Sequence, residues 1–521
     1  MASPPNVLLI VLDTVRKDHL TPYGYERQTT PELAAFAQEA TVFEQAVAPA
    51  PWTLPVHASL FTGLYPSQHG ADQENPYLEG ATTLAQTLSA AGYDTACYSS
   101  NAWITPYTRL TAGFDDVDNF FEVMPGDLLS GPLARAWRTL NDHERLQVVA
   151  EKLVSLGNTA HEYLAGGGTA DSKTPAAIDR VQSVVAESDG PWFAFANLMD
   201  AHLPYHPPEE FAADFAPGVD STTVCQNSKE YNSGARDIDE EEWEAIRGLY
   251  DAEIAHMDRQ LGRLFDWLRD RGIWEETVVI VCADHGELHG EHDLYGHEFN
   301  LYDPLINVPL LVKHPDLSAD RRSDQVELLD LYHTILDVAD VEGGEPAAAG
   351  ETAVARDRTR SLVASEYRQF DADAVDSETS AASDPGQRAA PDGEFAFVEY
   401  SRPVVELKQL EEKAAAAGID LDEHSRFYAR MRAARRPDAK YVRIDRIPDE
   451  AYRLDRDPGE LTDLADSDDE AIIAAERALS AFERAVGSAW TDAVDGDVED
   501  DSLEEIDEEA RERLRELGYV E

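Results

Sequence analysis

Asn6-Val7-Leu8-Leu9-Ile10-Val11-Leu12-Asp13 and Val278-Val279-Ile280-Val281-Cys282-Ala283-Asp284-His285-Gly286-Glu287 decide the fold. Each begins as an apolar, β-branched run with no polar alternation, the pattern of a parallel strand buried on both faces. Each run ends in an acid. In open α/β sheets, ligand sites gather beyond the carboxyl ends of such strands. The two segments therefore bring the carboxylates of Asp13 and Asp284 and the imidazole of His285 to one edge of one sheet. Between them in sequence lies Trp52-Thr53-Leu54-Pro55-Val56-His57, which makes the Thr53 hydroxyl available to the same edge. Read singly, each piece has an ordinary use. An Asp after a strand can cap a helix or form a turn, Asp284-His285-Gly286 can be a turn, and Thr53 can start a helix.

Taken in order, the segments resemble the sulfatase family of the alkaline phosphatase superfamily. NVLLIVLDTVRKDHLTPYGY (6–25) and TTPELAAFAQEATVFEQAVA (29–48) are similar to that family's first strand, metal Asp and first helix. WTLPVHASLFTGLYPSQHG (52–70) resembles its nucleophile segment, and DAHLPYHPP (200–208) its His-x-Pro-Tyr segment. ETVVIVCADHGELHGEHDLYGHEFNLYDPLINVPLLVKHP (276–315) resembles the second metal segment and the strand after it. VELLDLYHTILDVAD (326–340), AYRLDRDPGELTDLAD (451–466) and LRELGYV (514–520) resemble later landmarks. The resemblance implies an α/β fold: a large mixed, mostly parallel sheet sandwiched by helices, with a small C-terminal α+β domain. It also implies a sulfuric or phosphoric ester hydrolase that takes a small anionic ester.

The family's nucleophile is a Cys or Ser oxidised to formylglycine. Thr53 stands at that position here, and His57 stands where an Arg normally follows. Oxidising a threonine side chain gives a ketone, so no formylglycine is expected. A formylglycine hydrate releases sulfate by breaking its own carbon–oxygen bond, an exit that a sulfated threonine lacks. A phosphorylated threonine is resolved by water. The hydroxyl itself is a poor nucleophile until a metal or base lowers its pKa. The resemblance assigns Asp13, Thr53, Asp284 and His285 to one divalent metal ion. Two carboxylates and an imidazole favour Mn²⁺ or Zn²⁺, with Mg²⁺ or Ca²⁺ still open. Thr14, where many sulfatases carry a second Asp, counts against Ca²⁺. His202 and His297 fall where the family places anion-binding or acid groups, a task suited to imidazole near neutral pH. His57 either holds the Thr53 loop or contacts the anion, and Asn101 occupies a strand end near it. His289 and His292 could bind a second metal but read rather as a solvated loop, and Lys313, inside an apolar strand, is not expected to bind the anion. The alternatives are a phosphodiesterase or phosphoethanolamine-type phosphotransferase and, in another class, an inactive anion-binding or scaffold protein.

Composition adds a second theme. The 521 residues carry 102 acids against 43 bases, a net charge of −59, and only eight of the bases are lysine. The excess is spread along the whole chain. It reads as a halophile's surface, kept soluble where salt screens self-repulsion, and it excludes nucleic acid and anionic membranes as partners. The melting temperature is expected to rise between low and molar salt, and a flat salt profile would defeat this reading. Three cysteines, Cys97, Cys225 and Cys282, lack paired spacing and imply no disulfide framework. The start shows no signal-peptide pattern and no stretch is long and apolar enough to span a bilayer, so a cytoplasmic location is expected. Oligomeric state is not legible.

Along the chain, residues 1–340 read as the catalytic domain, with 121–190 as a helical insertion containing Glu144–Leu156 and Pro175–Val185. Tyr93–Tyr98 and Trp192–Leu198 read as strands. Ile246, Leu249, Tyr250, Ile254, Met257, Leu261, Leu264 and Leu268 recur at helical spacing, so a helix is expected over Trp243–Leu268. Residues 341–395 read as linker and the start of the C-terminal domain. The small domain follows at 396–470, with a hairpin of Tyr441–Ile444 and Ala451–Leu454. Residues 471–521 read as an acidic tail, helical or partly disordered.

Overall fold

The computed structural model describes residues 4–73, 75–120, 172–315, 317, 319–364 and 395–486. The run at the start forms β1 (Asn6–Leu12), followed by β2 (Thr41–Val47), β3 (Asp94–Ser99), β4 (Asp116–Asn119), β5 (Trp192–Leu198) and β6 (Thr277–Cys282). Two short strands, β7 (Leu288–His289) and β8 (Tyr295–Gly296), pair with each other; β9 (Asn307–Lys313) and β10 (Asp320–Glu327) return to the main sheet. That sheet has eight strands in the order β10-β2-β9-β6-β1-β5-β3-β4. β6, β1, β5, β3 and β4 run parallel, and β9 is antiparallel to both β6 and β2. The large mixed, mostly parallel sheet expected from the sequence is present.

β1 lies in the middle of this sheet, which is why its sequence shows no alternation. Val7 to Leu12 are all at most 2% exposed. Each such side chain contributes about 1.5–3 kcal/mol over its exposed state, and truncating Leu9 to Ala costs about 2–5 kcal/mol. Register aligns the strand ends: Val11 lies opposite Cys282 on one side and Asn197 on the other. The Asp13 amide then donates to Leu198 O at 2.9 Å, which extends the ladder one residue past the strand.

The helix expected over Trp243–Leu268 spans Glu240–Asp270. Asp239 caps it by accepting from the Glu242 amide, and three glutamates in its first turn match the positive end of the helix dipole. Its apolar stripe is buried throughout, but the same inward face also carries Asp251, Glu253, His256 and Asp258. The helix Thr174–Glu187 covers the expected Pro175–Val185 and packs on β5 and β3, so this part of the proposed insertion belongs to the sandwich itself. Glu144–Leu156 lies outside the described residues.

The small domain is an antiparallel sheet of β11 (Ala396–Tyr400), β12 (Met431–Arg436), β13 (Ala439–Ile444) and β14 (Glu450–Tyr452), in that order. The helix Glu470–Val486 packs on β12 and β13 through Ile472, Ala475, Leu479 and Phe482, with Phe482 stacked on Phe397 at 4.3 Å between ring centroids. The start of the expected tail is therefore a packed helix of this domain, and 487–521 lie outside the described residues. Arg435 and Lys440 of this sheet pair with Asp303 at the edge of the large domain. Among the described residues no helix is long and apolar enough to cross a membrane. The three cysteines are free and buried.

Candidate active site

Thr53 is the first residue of the helix Thr53–Thr62, entered from an extended Trp52. The free amides and positive dipole end of that helix face the same edge as the two strand-end acids. Asp13 and Asp284 are both fully buried. Asp13 Oδ2 accepts from Asn101 Nδ2 at 2.9 Å and from Asn197 Nδ2 at 3.0 Å, while Oδ1 has no hydrogen-bond partner. Asp284 Oδ1 accepts from the His285 amide at 2.9 Å and the Thr14 amide at 3.3 Å, while Oδ2 has none. His285 donates Nδ1–H to Gly286 O at 3.0 Å, which fixes the tautomer and turns the Nε2 lone pair inward. Nε2 then lies 3.4 Å from Asp284 Oδ2, 3.9 Å from Asp13 Oδ1 and 3.4 Å from Thr53 Oγ1.

Asp13 Oδ1, Asp284 Oδ2 and His285 Nε2 thus draw together, with Thr53 Oγ1 within reach of the imidazole. Burial, then the neighbouring Asp13 carboxylate, hold Asp284 well above the usual carboxylate range. Burial, then the positive character of His297, keep the His285 imidazole well below its usual value, and therefore neutral. Two buried carboxylates with one orphaned oxygen each are costly unless a cation joins them. Among the described residues, Asp13, Asp284 and His285 form the group of acids and imidazoles spaced to hold a metal ion, their donor atoms all within 4.8 Å of one another. The residues fit a divalent ion. The turn that presents them leaves no room for a side chain, since a Cβ on Gly286 would meet Pro304 O at 2.0 Å.

Around this cluster the structure places the other expected residues unequally. Asn101 Nδ2 bridges Asp13 and Thr53 Oγ1, the latter at 3.3 Å. His202 spends Nδ1–H on Leu203 O at 2.7 Å and leaves Nε2 for the cavity that Thr53 lines. His297 stands 4.5 Å from the His285 ring and 5.4 Å from the His202 ring, with Nδ1 at 3.2 Å from Glu287 Oε1. His57 is different. It is fully buried beneath the site against Phe61 and Phe195, with Nδ1–H donated to Thr53 O at 2.9 Å. Burial lowers its pKa, and Nε2 has no partner. Of its two expected roles the structure supports holding the Thr53 backbone, and an anion contact does not fit a ring walled in by phenylalanines. His289 corrects another expectation. It is buried, hydrogen-bonded to Tyr205 OH at 3.1 Å, because β7 folds it under Tyr250. His292 stacks on Tyr302. Lys313 Nζ is buried and bonds Trp274 O and Thr277 O, at the opposite end of the sheet.

Reading residues one by one missed Asn197, Glu287, Glu298 and Lys229. Asn197 had a signal, being the one polar residue in an otherwise apolar strand. Lys229 had none; it reaches Glu298 from a separate short helix, Ser228–Asn232. Burial opposes charge on His297, but Glu298 and Glu287 outweigh it and lift the imidazole to about 9. This charge stabilises the fold fully below the ordinary imidazole value, and the contribution is lost as pH rises through about 9. In the metal-free protein, His297 should titrate near 9 by NMR, and Glu298→Gln should move it down by about a unit or more. An unchanged titration in that variant would remove Glu298 as the cause.

A sulfatase sequence profile matches residues 5–341. The multifunctional alkaline phosphatase superfamily protein PehA of Trinickia caryophylli is 28% identical over 387 residues, covering 64% of this chain and 73% of its own. The choline-sulfatase of Rhizobium meliloti is 23% identical over 366 residues, covering 65% and 68%. Among solved structures, the phosphonate monoester hydrolase of Agrobacterium radiobacter superimposes with a TM-score of 0.61 at 22% identity, over 92% of this chain and 96% of its own. That likeness establishes the shared fold, and the profile match over most of the chain establishes the lineage. The chain belongs to the sulfatase family of ester hydrolases within the alkaline phosphatase superfamily.

Proposed function

We propose that this protein is a metal-dependent hydrolase in which the unmodified Thr53 hydroxyl attacks the central atom of a small anionic ester, with phosphoryl esters preferred over sulfuryl ones. The observation that carries this reading is the convergence of Thr53 Oγ1, Asp13 Oδ1, Asp284 Oδ2 and His285 Nε2, the two acid oxygens being buried and unpartnered. A divalent ion held by these four groups, Mn²⁺ or Zn²⁺ by its mixed donors, would lower the hydroxyl pKa and offset charge on the ester oxygens.

The chain's own residues supply the rest. Asn101 holds Thr53 Oγ1 in line and His57 holds its backbone. The amides at the start of the Thr53 helix and the His297 imidazolium face the ester's negative oxygens. With its hydroxyl proton released to solvent, as a held cation would favour, Thr53 oxygen bonds phosphorus while the bond to the leaving oxygen breaks, and that oxygen takes a proton from His202 Nε2. Water then enters in its place, and His202 Nε2 accepts the water proton. The bond from phosphorus to Thr53 oxygen breaks, which restores the deprotonated Thr53 oxygen and the protonated His202 that began the cycle. Phosphorus is preferred because a phosphothreonine is opened by water at phosphorus, whereas a sulfated threonine lacks the internal exit of an aldehyde hydrate.

Metal content should be measured together with turnover of matched aryl phosphate and aryl sulfate. One divalent ion per chain with faster phosphate turnover is expected. Faster sulfate turnover would overturn the phosphoryl preference. No metal and no turnover would leave an anion-binding protein.

A further inference from the structure

The cavity that Thr53 lines, about 770 Å³, continues past His202 to Asp200 and Glu253. Asp200 precedes His202 by two residues, so their Cα atoms are at most about 7 Å apart. Asp200 Oδ2 accepts from the Thr174 hydroxyl, whereas Oδ1 has no hydrogen bond although the side chain is only 3% exposed. His256 Nε2 is 3.8 Å away and bonds Ser172 Oγ at 3.0 Å; burial lowers this imidazole and makes it a poor counter-ion. Glu253 is nearly as buried. It accepts from the His206 amide at 2.7 Å, and burial followed by Asp200 holds its carboxyl well above the usual range.

An enzyme for anions gains nothing from two acids in its binding cavity unless the substrate brings a compensating charge. Among the described residues no ion pair to lysine or arginine reaches either acid; of the two lysines on the cavity wall, Lys229 is engaged by Glu298, and Lys173 has a partner of its own. The metal-spaced group among the described residues is the one at Asp13 and does not include this pair. The geometry points to a cation subsite in which Asp200 and Glu253 receive a primary ammonium carried by the substrate, a short spacer from the ester that Thr53 attacks. An ammonium offers three N–H donors, enough for the free Asp200 oxygen and for Glu253. The inference rests on Thr53 being the reacting end of the cavity.

The test compares 4-nitrophenyl 3-aminopropyl phosphate with 4-nitrophenyl butyl phosphate, which share a leaving group and nearly share shape. The ammonium ester should have a kcat/KM about 10- to 100-fold higher, the range of one or two charge-assisted hydrogen bonds. Asp200→Asn and Glu253→Gln should each cut that ratio by about 5-fold or more while changing butyl ester turnover less than about 2-fold. Asn at position 200 keeps an acceptor for Thr174, which guards the fold. A ratio near one in the native enzyme, or a ratio untouched in both variants, overturns the subsite. If neither ester turns over, the Thr53 reading fails, and the subsite is then decided by calorimetric binding of 3-aminopropyl against butyl phosphate. Equal affinities there would overturn it too, and their joint loss on removing K⁺ would assign the acids to an inorganic cation instead.

Discussion

Thr53→Ala is expected to lower kcat by on the order of 10³-fold or more, the scale on which loss of a covalent nucleophile is felt. The fold should barely register the change. The hydroxyl removed makes one hydrogen bond with Asn101 and a long contact with His285, so about 1 kcal/mol of stability is at stake. Metal affinity should weaken but persist, because Asp13, Asp284 and His285 remain. Thr53→Ser should keep activity within about tenfold, since the hydroxyl rather than the methyl attacks. Acid-quenched native enzyme should carry a phosphoryl group on the peptide containing Thr53, and the Ala variant none. Undiminished turnover in Thr53→Ala would falsify the covalent step.

Asp284→Asn should have opposite effects on function and on metal-free stability. Activity should fall at least about 100-fold, a loss seen even for groups one bond removed from a metal. Metal-free protein, however, should melt at a higher temperature than the native chain, because the substitution removes a buried carboxylate that its neighbour Asp13 repels. The pH dependence has a definite sign. A carboxyl held above its ordinary range binds protons more tightly when folded, so the contribution of Asp284 to metal-free stability falls as pH rises above about 4. Saturating metal should reverse this trend, since binding displaces the proton. Asp284→Asn should flatten the metal-free profile. A variant that melts lower than the native chain without metal would show that the acids are not in conflict.

The sheet and the grouping of Asp13, Asp284 and His285 were legible because both are written locally. β1 and β6 are apolar on both faces, and their acids follow within two residues, so strand position and site position come from the same letters. The distal part of the cavity was not legible. Its residues come from a strand end, a loop and the buried face of the Glu240–Asp270 helix, where apolar spacing conceals Glu253. Helical periodicity reports which face is inward and is silent about a cavity on that face. The same limit explains His289: a two-residue strand is too short to show a period, so its burial follows from β7 folding back rather than from sequence. His57 could be placed one turn after Thr53, but not beneath it, because its direction depends on Phe195 of another element, β5.

The hydrogen bond from the Asp13 amide to Leu198 O ties the edge that carries the acids to the middle of the eight-stranded sheet. An amide bonded across the centre of an eight-stranded sheet exchanges with solvent deuterium only when that sheet opens. The Asp13 amide should therefore be among the last to exchange, although its side chain belongs to the cluster spaced for a metal ion. Metal that binds the folded state alone adds its binding free energy to that opening. Deuterium uptake at Asp13 should then slow in step with metal concentration, by the same factor as amides deep in β1. That common factor would measure metal affinity without any substrate.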